Sequence, residues 1–165
     1  MIRTPLLALA CLLLALPGCD TNVGQDEFFL ESQLAPEGIT RTSASGEVLG
    51  EPDPDDWRTA PAFQGSVEVV PASPNPVDRN GLVTIVVQDT FGDVLTGGVR
   101  ATGFTDTNPR QFVELDRDEG NGPFYTLTFS PTLLRQTGGD AAQLFRIRVF
   151  TTDSRIVSYG DIEVR

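Results

Sequence analysis

The hydrophobic and polar positions divide the chain into three parts. Residues 6–16 form an unbroken apolar run, residues 20–62 show no sustained period, and apolar and polar residues alternate from residue 65 onward. Alternation with a period of two is typical of strands that bury one face. The pattern therefore predicts an all-β body behind a poorly structured segment.

Seven short segments of the body carry this alternation, and turn signals such as Asn80-Gly81 separate them. The pair Gly97-Gly98 predicts a bulge or a break in the third strand. Residues 116–122 are predicted as a loop and residues 131–134 as a brief helical turn. The predicted strands are residues 66–70, 82–89, 94–104, 111–115, 124–130, 144–151 and 155–165. In the second strand, the residues predicted to face the core are Val83, Ile85 and Val87. In the fifth strand, the residues predicted to share one face are Tyr125, Leu127 and Phe129.

Strands of this length predict an immunoglobulin-like or fibronectin-like antiparallel β-sandwich of about seven strands after a flexible N-terminal tether. The chain lacks the Cys…Trp…Cys spacing of antibody domains, which excludes that subclass and leaves the wider class.

The last two predicted strands allow a test of register. If Asp153-Ser154 forms a two-residue loop, the numbers of facing residues sum to 307. Phe145 then faces Ile162, and Arg146 faces Asp161. The apolar pair is predicted inside, because a slip of one residue would place Phe145 in water. The ion pair is predicted on the surface, where it adds at most about 1 kcal/mol.

The apolar run at the start has the length of a secretion signal. Its eleven residues extend about 16 Å as a helix, whereas the hydrocarbon core of a bilayer is about 30 Å thick. Arg3 precedes the run and supplies the positive charge of such a signal.

The residues that follow, Leu16-Pro17-Gly18-Cys19, resemble the lipobox of bacterial lipoprotein precursors. The resemblance implies that the thiol of Cys19 receives a diacylglyceryl group, and that residues 1–18 are removed before it. Two or more acyl chains then give stable anchoring. An ordinary signal peptide with an incidental cysteine is the alternative. The predicted domains are a signal peptide at 1–18, a lipidated flexible linker at 19–62 and a β-sandwich domain at 63–165.

Two patches interrupt the linker. Phe28-Phe29-Leu30, with Leu34, predicts one turn of helix that docks on the domain or contacts a partner. The carboxylates of residues 51–57 could attract Ca²⁺, but the spacing matches no calcium loop and favours a solvated linker. Trp57 and Phe63 are predicted to pin the linker to the edge of the sandwich, because large aromatic side chains bury much area.

The charge balance excludes several classes of function. The chain has 23 acidic residues, 12 arginines and neither lysine nor histidine, for a net charge of −11. Such a balance argues against nucleic acid as a partner and against an electrostatic grip on anionic lipid. Without histidine and lysine, no Ser-His-Asp triad, Schiff-base lysine or histidine-ligated zinc site is available.

Composition also predicts a body without cysteine chemistry. Cys11 leaves with the signal peptide and Cys19 is consumed by lipid, so the mature body has no disulfide. We predict neither a cofactor nor a metal site. An acidic, lysine-free chain resembles proteins of salt-loving organisms, for which high salt screens the repulsion. A high-GC genome that favours arginine over lysine is the alternative.

Three stretches resemble sorting signals. Asp20 resembles the inner-membrane retention signal of enteric bacteria, and Gln25-Asp26-Glu27 resembles a surface-export signal of Bacteroidota. Residues 72–77 and 84–95 resemble the opening half of the C-terminal sorting domains of secreted Bacteroidota proteins, whose basic closing strand this chain lacks. The predicted location is the cell envelope outside the cytoplasm, with the outer membrane or cell surface favoured over the inner membrane.

These observations predict a lipid-anchored, non-enzymatic structural or binding module, with a protein or a glycan of the envelope as its partner. No catalytic residue is singled out, and the ligand-binding residues stay unknown. A carbohydrate-binding module is the first alternative, and a hydrolase with paired carboxylates is the second. Calcium binding by residues 116–122 is a further alternative, but Gly120 is one position out of EF-hand register, which favours a hydrated loop. The exposed aromatic line of a carbohydrate site would consist of Trp57, Phe91, Phe104 and Tyr159.

Overall fold

The computed structural model of the protein describes residues 21–105, 108–134 and 141–165. Within these residues it has one α-helix, α1 (Thr21–Glu31), and two 3₁₀ turns, Pro61–Phe63 and Pro131–Leu133. The second 3₁₀ turn confirms the predicted helical turn. The seven strands are β1 (Val67–Ser73), β2 (Val83–Asp89), β3 (Val99–Thr105), β4 (Asn108–Asp118), β5 (Phe124–Phe129), β6 (Gln143–Thr151) and β7 (Ile156–Val164). The predicted signal peptide and Cys19 lie outside the described residues.

The strands form two antiparallel sheets. One has the order β1-β2-β5 and the other the order β4-β3-β6-β7. The predicted all-β sandwich of seven strands is therefore confirmed, whereas the immunoglobulin-like or fibronectin-like class stays a prediction. In the part of the chain that the structure describes, no helix is long and apolar enough to cross a bilayer.

The alternation places the core of the three-stranded sheet as predicted. Val83, Ile85 and Val87 of β2 are fully buried, and so are the alternate residues of β5. Val87 pairs with Tyr125, so the buried sets of the two strands lie on the same side of the sheet. The hydroxyl of Tyr125 donates to the carbonyl of Leu95 at 3.0 Å, which satisfies its polar end inside the core.

The start of β3 lies later than the sequence pattern predicts. Gly97 and Gly98 have φ angles of +90° and +95°, a left-handed conformation that favours glycine. A side chain at Gly98 would also overlap the carbonyl group of Asp118. The glycine pair is therefore the break before the strand.

β4 is longer than predicted and takes in part of the predicted loop at 116–122. It extends through Asp118, and its carboxylates pair with the free edge of β5. Asp116 accepts the backbone N–H of Thr128 at 2.6 Å, and Asp118 accepts that of Thr126 at 2.9 Å. These two side chains link the two sheets along this side of the sandwich. The sequence gives no sign that they would do so.

The register of the last two strands is confirmed. Phe145 faces Ile162, and Arg146 faces Asp161. Phe145 and Ile162 are buried, as the prediction required.

The turn that joins β6 and β7 differs from the two-residue loop of the prediction. Thr151 donates its N–H to the carbonyl of Arg155 at 2.9 Å, so three residues form the loop. Ser154 has a φ of +71°, which is typical of a three-residue hairpin loop. Next to this loop Phe150 pairs with Ile156, and the following pair is Val149 with Ser158. This bulge of one residue brings the rest of the two strands into the predicted register.

Residues 21–62 differ from the flexible linker predicted over residues 19–62. They begin with α1 and pack along β6 and β7 through buried aromatic side chains. Trp57 and Phe63 are buried as predicted, but of the predicted docking patch only Phe28 is buried, since Leu30 and Leu34 are 64% and 63% exposed. The polar composition of the segment does not predict this packing. Three buried aromatic side chains are enough to order a polar segment where the sheet offers a complementary surface.

The N-terminal segment also covers the free edge of β7. The backbone N–H of Trp57 donates to the carbonyl of Tyr159 at 2.7 Å, and the backbone N–H of Ala60 donates to the carbonyl of Val157 at 2.8 Å. The connection between β1 and β2 covers the rest of this edge, where Val77 donates its N–H to the carbonyl of Glu163 at 2.9 Å. Covering an edge in this way removes a site for pairing with other chains.

Candidate functional site

A cavity lies where the end of α1 and the loop of residues 53–58 meet β6 and β7. It has a volume of about 440 Å³. Among the residues that line it are Glu31, Glu37, Asp56, Arg58, Arg146 and Asp161. We call this cavity the cleft. It joins carboxylates and guanidinium groups from segments that are far apart in sequence.

An ion pair between two β-strands forms the floor of the cleft. Arg146 donates from Nε to Asp161 Oδ1 and from Nη2 to Asp161 Oδ2, both at 2.7 Å. The side chains are only 9% and 2% exposed, so the prediction that this pair lies on the surface is wrong. The physical reason is the N-terminal segment: Arg146 also donates to the carbonyl of Glu31, and Glu37 donates its N–H to Asp161. These contacts cover the pair from outside the sheet.

Asp161 stabilises the charged form of Arg146. Burial by itself would lower the pKa of Arg146, but the hydrogen bond and the charge of Asp161 raise it, and the net direction is upward. Arg146 therefore stays charged in the cleft, which suits its two-bond contact with a carboxylate.

Asp56 is the second carboxyl group of the cleft. It accepts the backbone N–H of Thr40 at 2.6 Å and that of Asp161 at 2.8 Å. Burial raises the pKa of Asp56, the charge of Asp161 adds to the rise and the two N–H donors oppose it, so that the net pKa is about 7. Asp56 thus changes its charge close to neutral pH.

The stability of the protein is expected to depend on pH through Asp56. A carboxyl whose pKa is about 4 when unfolded and about 7 when folded holds more protons in the folded state between these values. Its contribution is fully present below pH 4 and is lost as the pH rises through 7. From pH 5 to 8 we expect the unfolding free energy to fall by about 1–2 kcal/mol relative to Asp56→Asn, after discounting for partial exposure. Urea denaturation at constant salt measures this difference.

Asp55→Asn is the matched control for this experiment. Asp55 belongs to the same loop, but its side chain is 75% exposed, so the substitution removes a surface charge and only its long 4.0 Å contact with Arg58. A difference between wild type and Asp56→Asn that stays constant from pH 5 to 8 would contradict the raised pKa.

Arg58, Tyr159 and Glu31 close one side of the cleft. Nη2 of Arg58 donates to the hydroxyl oxygen of Tyr159 at 2.7 Å and to Oε2 of Glu31 at 2.8 Å. The hydroxyl of Tyr159 donates to the same Glu31 oxygen at 3.2 Å. The ring of Tyr159 lies 4.9 Å from that of Phe28, so these bonds hold the end of α1 on β7.

The contacts define what the cleft can do chemically. Both oxygens of Asp161 and both oxygens of Asp56 accept hydrogen bonds from the protein itself, and each of the three guanidinium nitrogens of Arg146 donates one. The groups therefore hold the N-terminal segment to the sheet, rather than presenting a free acid and base. Within residues 21–105, 108–134 and 141–165, no group of three or more carboxylate, cysteine or histidine side chains is placed to hold a metal ion.

The four aromatic residues of the predicted carbohydrate site do not form one exposed line. Trp57 and Tyr159 are buried against β7 and α1. Phe104 packs against Phe112, with 4.0 Å between ring centroids, and only Phe91 of the four is strongly exposed, at 69%. A line of exposed aromatic side chains cannot be recognised from residue type, because the same residues fill the core.

A second cluster that the sequence analysis missed surrounds Arg148. This residue is buried, and its guanidinium lies 3.5 Å from the ring centroid of Phe112 and 5.2 Å from that of Phe104. Burial lowers the pKa of Arg148 to about 10, so it stays charged at neutral pH. Stacking on aromatic faces stabilises a desolvated arginine. No spacing rule on β3, β4 and β6 could have shown that these side chains meet.

Of the residues that line the cleft, only the contact between Arg146 and Asp161 was predicted from the sequence, because the register of the hairpin pairs them. Asp56 and Arg58 gave no such signal, since they lie in a segment without a period. The predicted lipid-attachment residue, Cys19, lies outside the described residues and stays a prediction. Comparison with known proteins found no matching family, no similar curated protein and no similar solved structure.

Proposed function

We propose that the chain is a lipid-anchored protein of the bacterial cell envelope, and that its β-sandwich is a non-enzymatic structural or binding module. The anchor is a diacylglyceryl group on Cys19, and the residues that support it are those resembling a lipobox, Leu16-Pro17-Gly18-Cys19. The location that follows is outside the cytoplasm, at the outer membrane or cell surface. The acidic surface of the body suits surroundings of high salt, in which like charges are screened.

The proposal for the body depends on one observation, which is that Asp56 and Asp161 of the cleft are hydrogen-bonded within the protein. In the cleft, Arg146 binds Asp161 and two backbone N–H groups bind Asp56, and these contacts hold the N-terminal segment in place. A general acid and base need free positions beside a substrate. Their engagement in the fold supports a structural or binding role over a carboxylate-based hydrolase.

A sandwich of the immunoglobulin-like or fibronectin-like class is part of the proposal. The order β1-β2-β5 opposite β3-β6-β7 corresponds to strands A, B and E opposite C, F and G of that class. The fourth strand, β4, lies beside β3. Loops at the ends of such a sandwich are the usual carriers of recognition.

One observation favours a carbohydrate-binding module as the second candidate. Phe91 and Phe124 are exposed, and they lie at the same end of the three-stranded sheet, because Gln88 pairs with Phe124. Exposed aromatic faces are the surfaces on which sugar rings stack. A glycan-dependent rise in the melting temperature that Phe91→Ala abolishes would favour this candidate.

The proposed anchor predicts a specific modification of the natural chain. Expressed in a bacterium with its own leader, the protein should lose residues 1–18, carry a diacylglyceryl group on Cys19 and fractionate with membranes. Cys19→Ser should abolish lipidation and release the body from the membrane fraction. Mass spectrometry of the N-terminal peptide measures both outcomes.

Cys11→Ser is the matched control, since Cys11 lies in the apolar run and is removed with it. This variant should be processed and lipidated like the wild type. An unmodified Cys19, or cleavage at another bond, would overturn the anchor.

A further inference from the structure

The outward side of α1 carries apolar side chains that the described residues of the protein leave exposed. Val23 is 61% exposed, Leu30 is 64% exposed, and Leu34 in the turn after the helix is 63% exposed. Val23 and Leu30 are seven residues apart, so they lie two turns apart on one side of the helix. We call Val23, Leu30 and Leu34 the outer apolar face.

The opposite side of α1 is fixed to the four-stranded sheet. Phe28 is buried against Tyr159, and Gln25 donates from Nε2 to the carbonyl of Ile156 at 2.8 Å. Gln25 also accepts the N–H of Ala62 at 3.1 Å through Oε1. The helix therefore cannot turn its outer apolar face toward the core without losing these contacts.

The length of chain before the helix decides what can reach this face. α1 begins at Thr21, two residues after Cys19. Two residues span at most about 7 Å even when fully extended. A lipid on Cys19 therefore places the start of α1 at the surface of the bilayer, with no spacer long enough to hold the sandwich away from it.

We propose that the outer apolar face of α1 lies on the lipid bilayer and orients the sandwich, so that the four-stranded sheet faces the membrane. This inference rests on the proposed lipid anchor at Cys19. The acyl chains supply the affinity. The three side chains of the outer apolar face contribute orientation only, because the exposed Asp26 and Glu27 between them keep α1 from entering the bilayer deeply.

Two exposed acidic residues on the same side of α1 determine which lipid headgroups this side favours. Asp26 and Glu27 lie between Val23 and Leu30 along the helix and are exposed. They favour zwitterionic headgroups over anionic ones, since like charges repel at the membrane surface. Contact with the bilayer should therefore weaken when anionic lipid is added at low salt and recover at molar salt.

The test uses the lipidated protein in phosphatidylcholine vesicles. Its mature chain has no cysteine other than Cys19, so an introduced cysteine is the only free thiol. Leu30→Cys places an environment-sensitive fluorophore on the outer apolar face. Leu82→Cys is the matched control, because Leu82 is 59% exposed and precedes β2 in the opposite sheet. Circular dichroism checks that both variants fold.

We expect a quencher carried near the headgroup of the lipid to quench the label at residue 30 at least about twofold more strongly than the label at residue 82. A label at Val23→Cys should behave like the label at residue 30. Equal quenching at residues 30 and 82 on vesicle-bound protein would overturn the orientation while leaving the anchor intact. Contact between labels of neighbouring copies, without lipid quenching, would overturn it in favour of a second copy. Protein that does not float with the vesicles would overturn the anchor and the orientation together.

Discussion

Replacing Arg146 with methionine is expected to lower the free energy of unfolding by about 3–5 kcal/mol, because it leaves a buried carboxylate without its partner. Asp161 is 1% exposed and receives both of its short side-chain contacts from Arg146. Methionine keeps the apolar stem, so the loss reports the charge rather than the packing. Urea denaturation at pH 7, followed by circular dichroism, measures the change.

Arg117→Met is the matched control. Arg117 makes the same two-bond contact with Glu114, at 3.0 and 2.8 Å, but its side chain is 41% exposed. Exposed ion pairs contribute about 0–1 kcal/mol, so the control should lose no more than that. Equal losses in the two variants would contradict the view that the N-terminal segment turns the Arg146–Asp161 pair into a buried contact.

The second large effect is expected for Asn75→Ala, at about 2–4 kcal/mol. Asn75 is fully buried and its side chain makes three hydrogen bonds. Nδ2 donates to the carbonyls of Thr40 at 3.0 Å and Asp161 at 2.9 Å, and Oδ1 accepts the N–H of Glu163 at 3.0 Å. Alanine leaves the two buried carbonyls and the partly buried N–H of Glu163 without this side chain, and an unsatisfied buried group costs more than the bond itself contributes. Thermal and urea unfolding measure the loss.

Asn121→Ala provides the comparison, because Asn121 is exposed in the loop before β5. Its loss should stay within about 0.5 kcal/mol, as for most surface substitutions. If Asn75→Ala were as mild as Asn121→Ala, the hydrogen bonds of Asn75 could not be what joins residues 40–42 to β7.

Both substitutions test the same feature of the architecture, which is the attachment of residues 21–62 to the sandwich. Arg146 holds the end of α1 through the carbonyl of Glu31, and Asn75 holds the segment at Thr40. With this segment fixed, a lipid on Cys19 would hold the body at the membrane instead of on a long tether. The proposed orientation of the sandwich depends on these contacts.

The strands could be predicted from the sequence because each of them repeats a local signal. In β2 and β5, every second residue is apolar, and a buried face requires that alternation whatever the rest of the fold does. The pairing of Phe145 with Ile162 follows from the same rule, since only one register buries Phe145. The boundaries of β3 and β4 were less well predicted, because Gly97-Gly98 and Asp116 depend on the neighbouring strand.

The sequence by itself determined an all-β body, the core faces of its strands and the register of its last hairpin, since these depend on a period of two within short segments. Only the tertiary structure decided that residues 21–62 pack on the body, that Arg146 and Asp161 are buried and that Asp56 has a raised pKa. These properties arise where segments about a hundred residues apart meet, such as Asp56 with Asp161. Desolvation depends on what covers a group, and no local pattern records which distant segment will cover it.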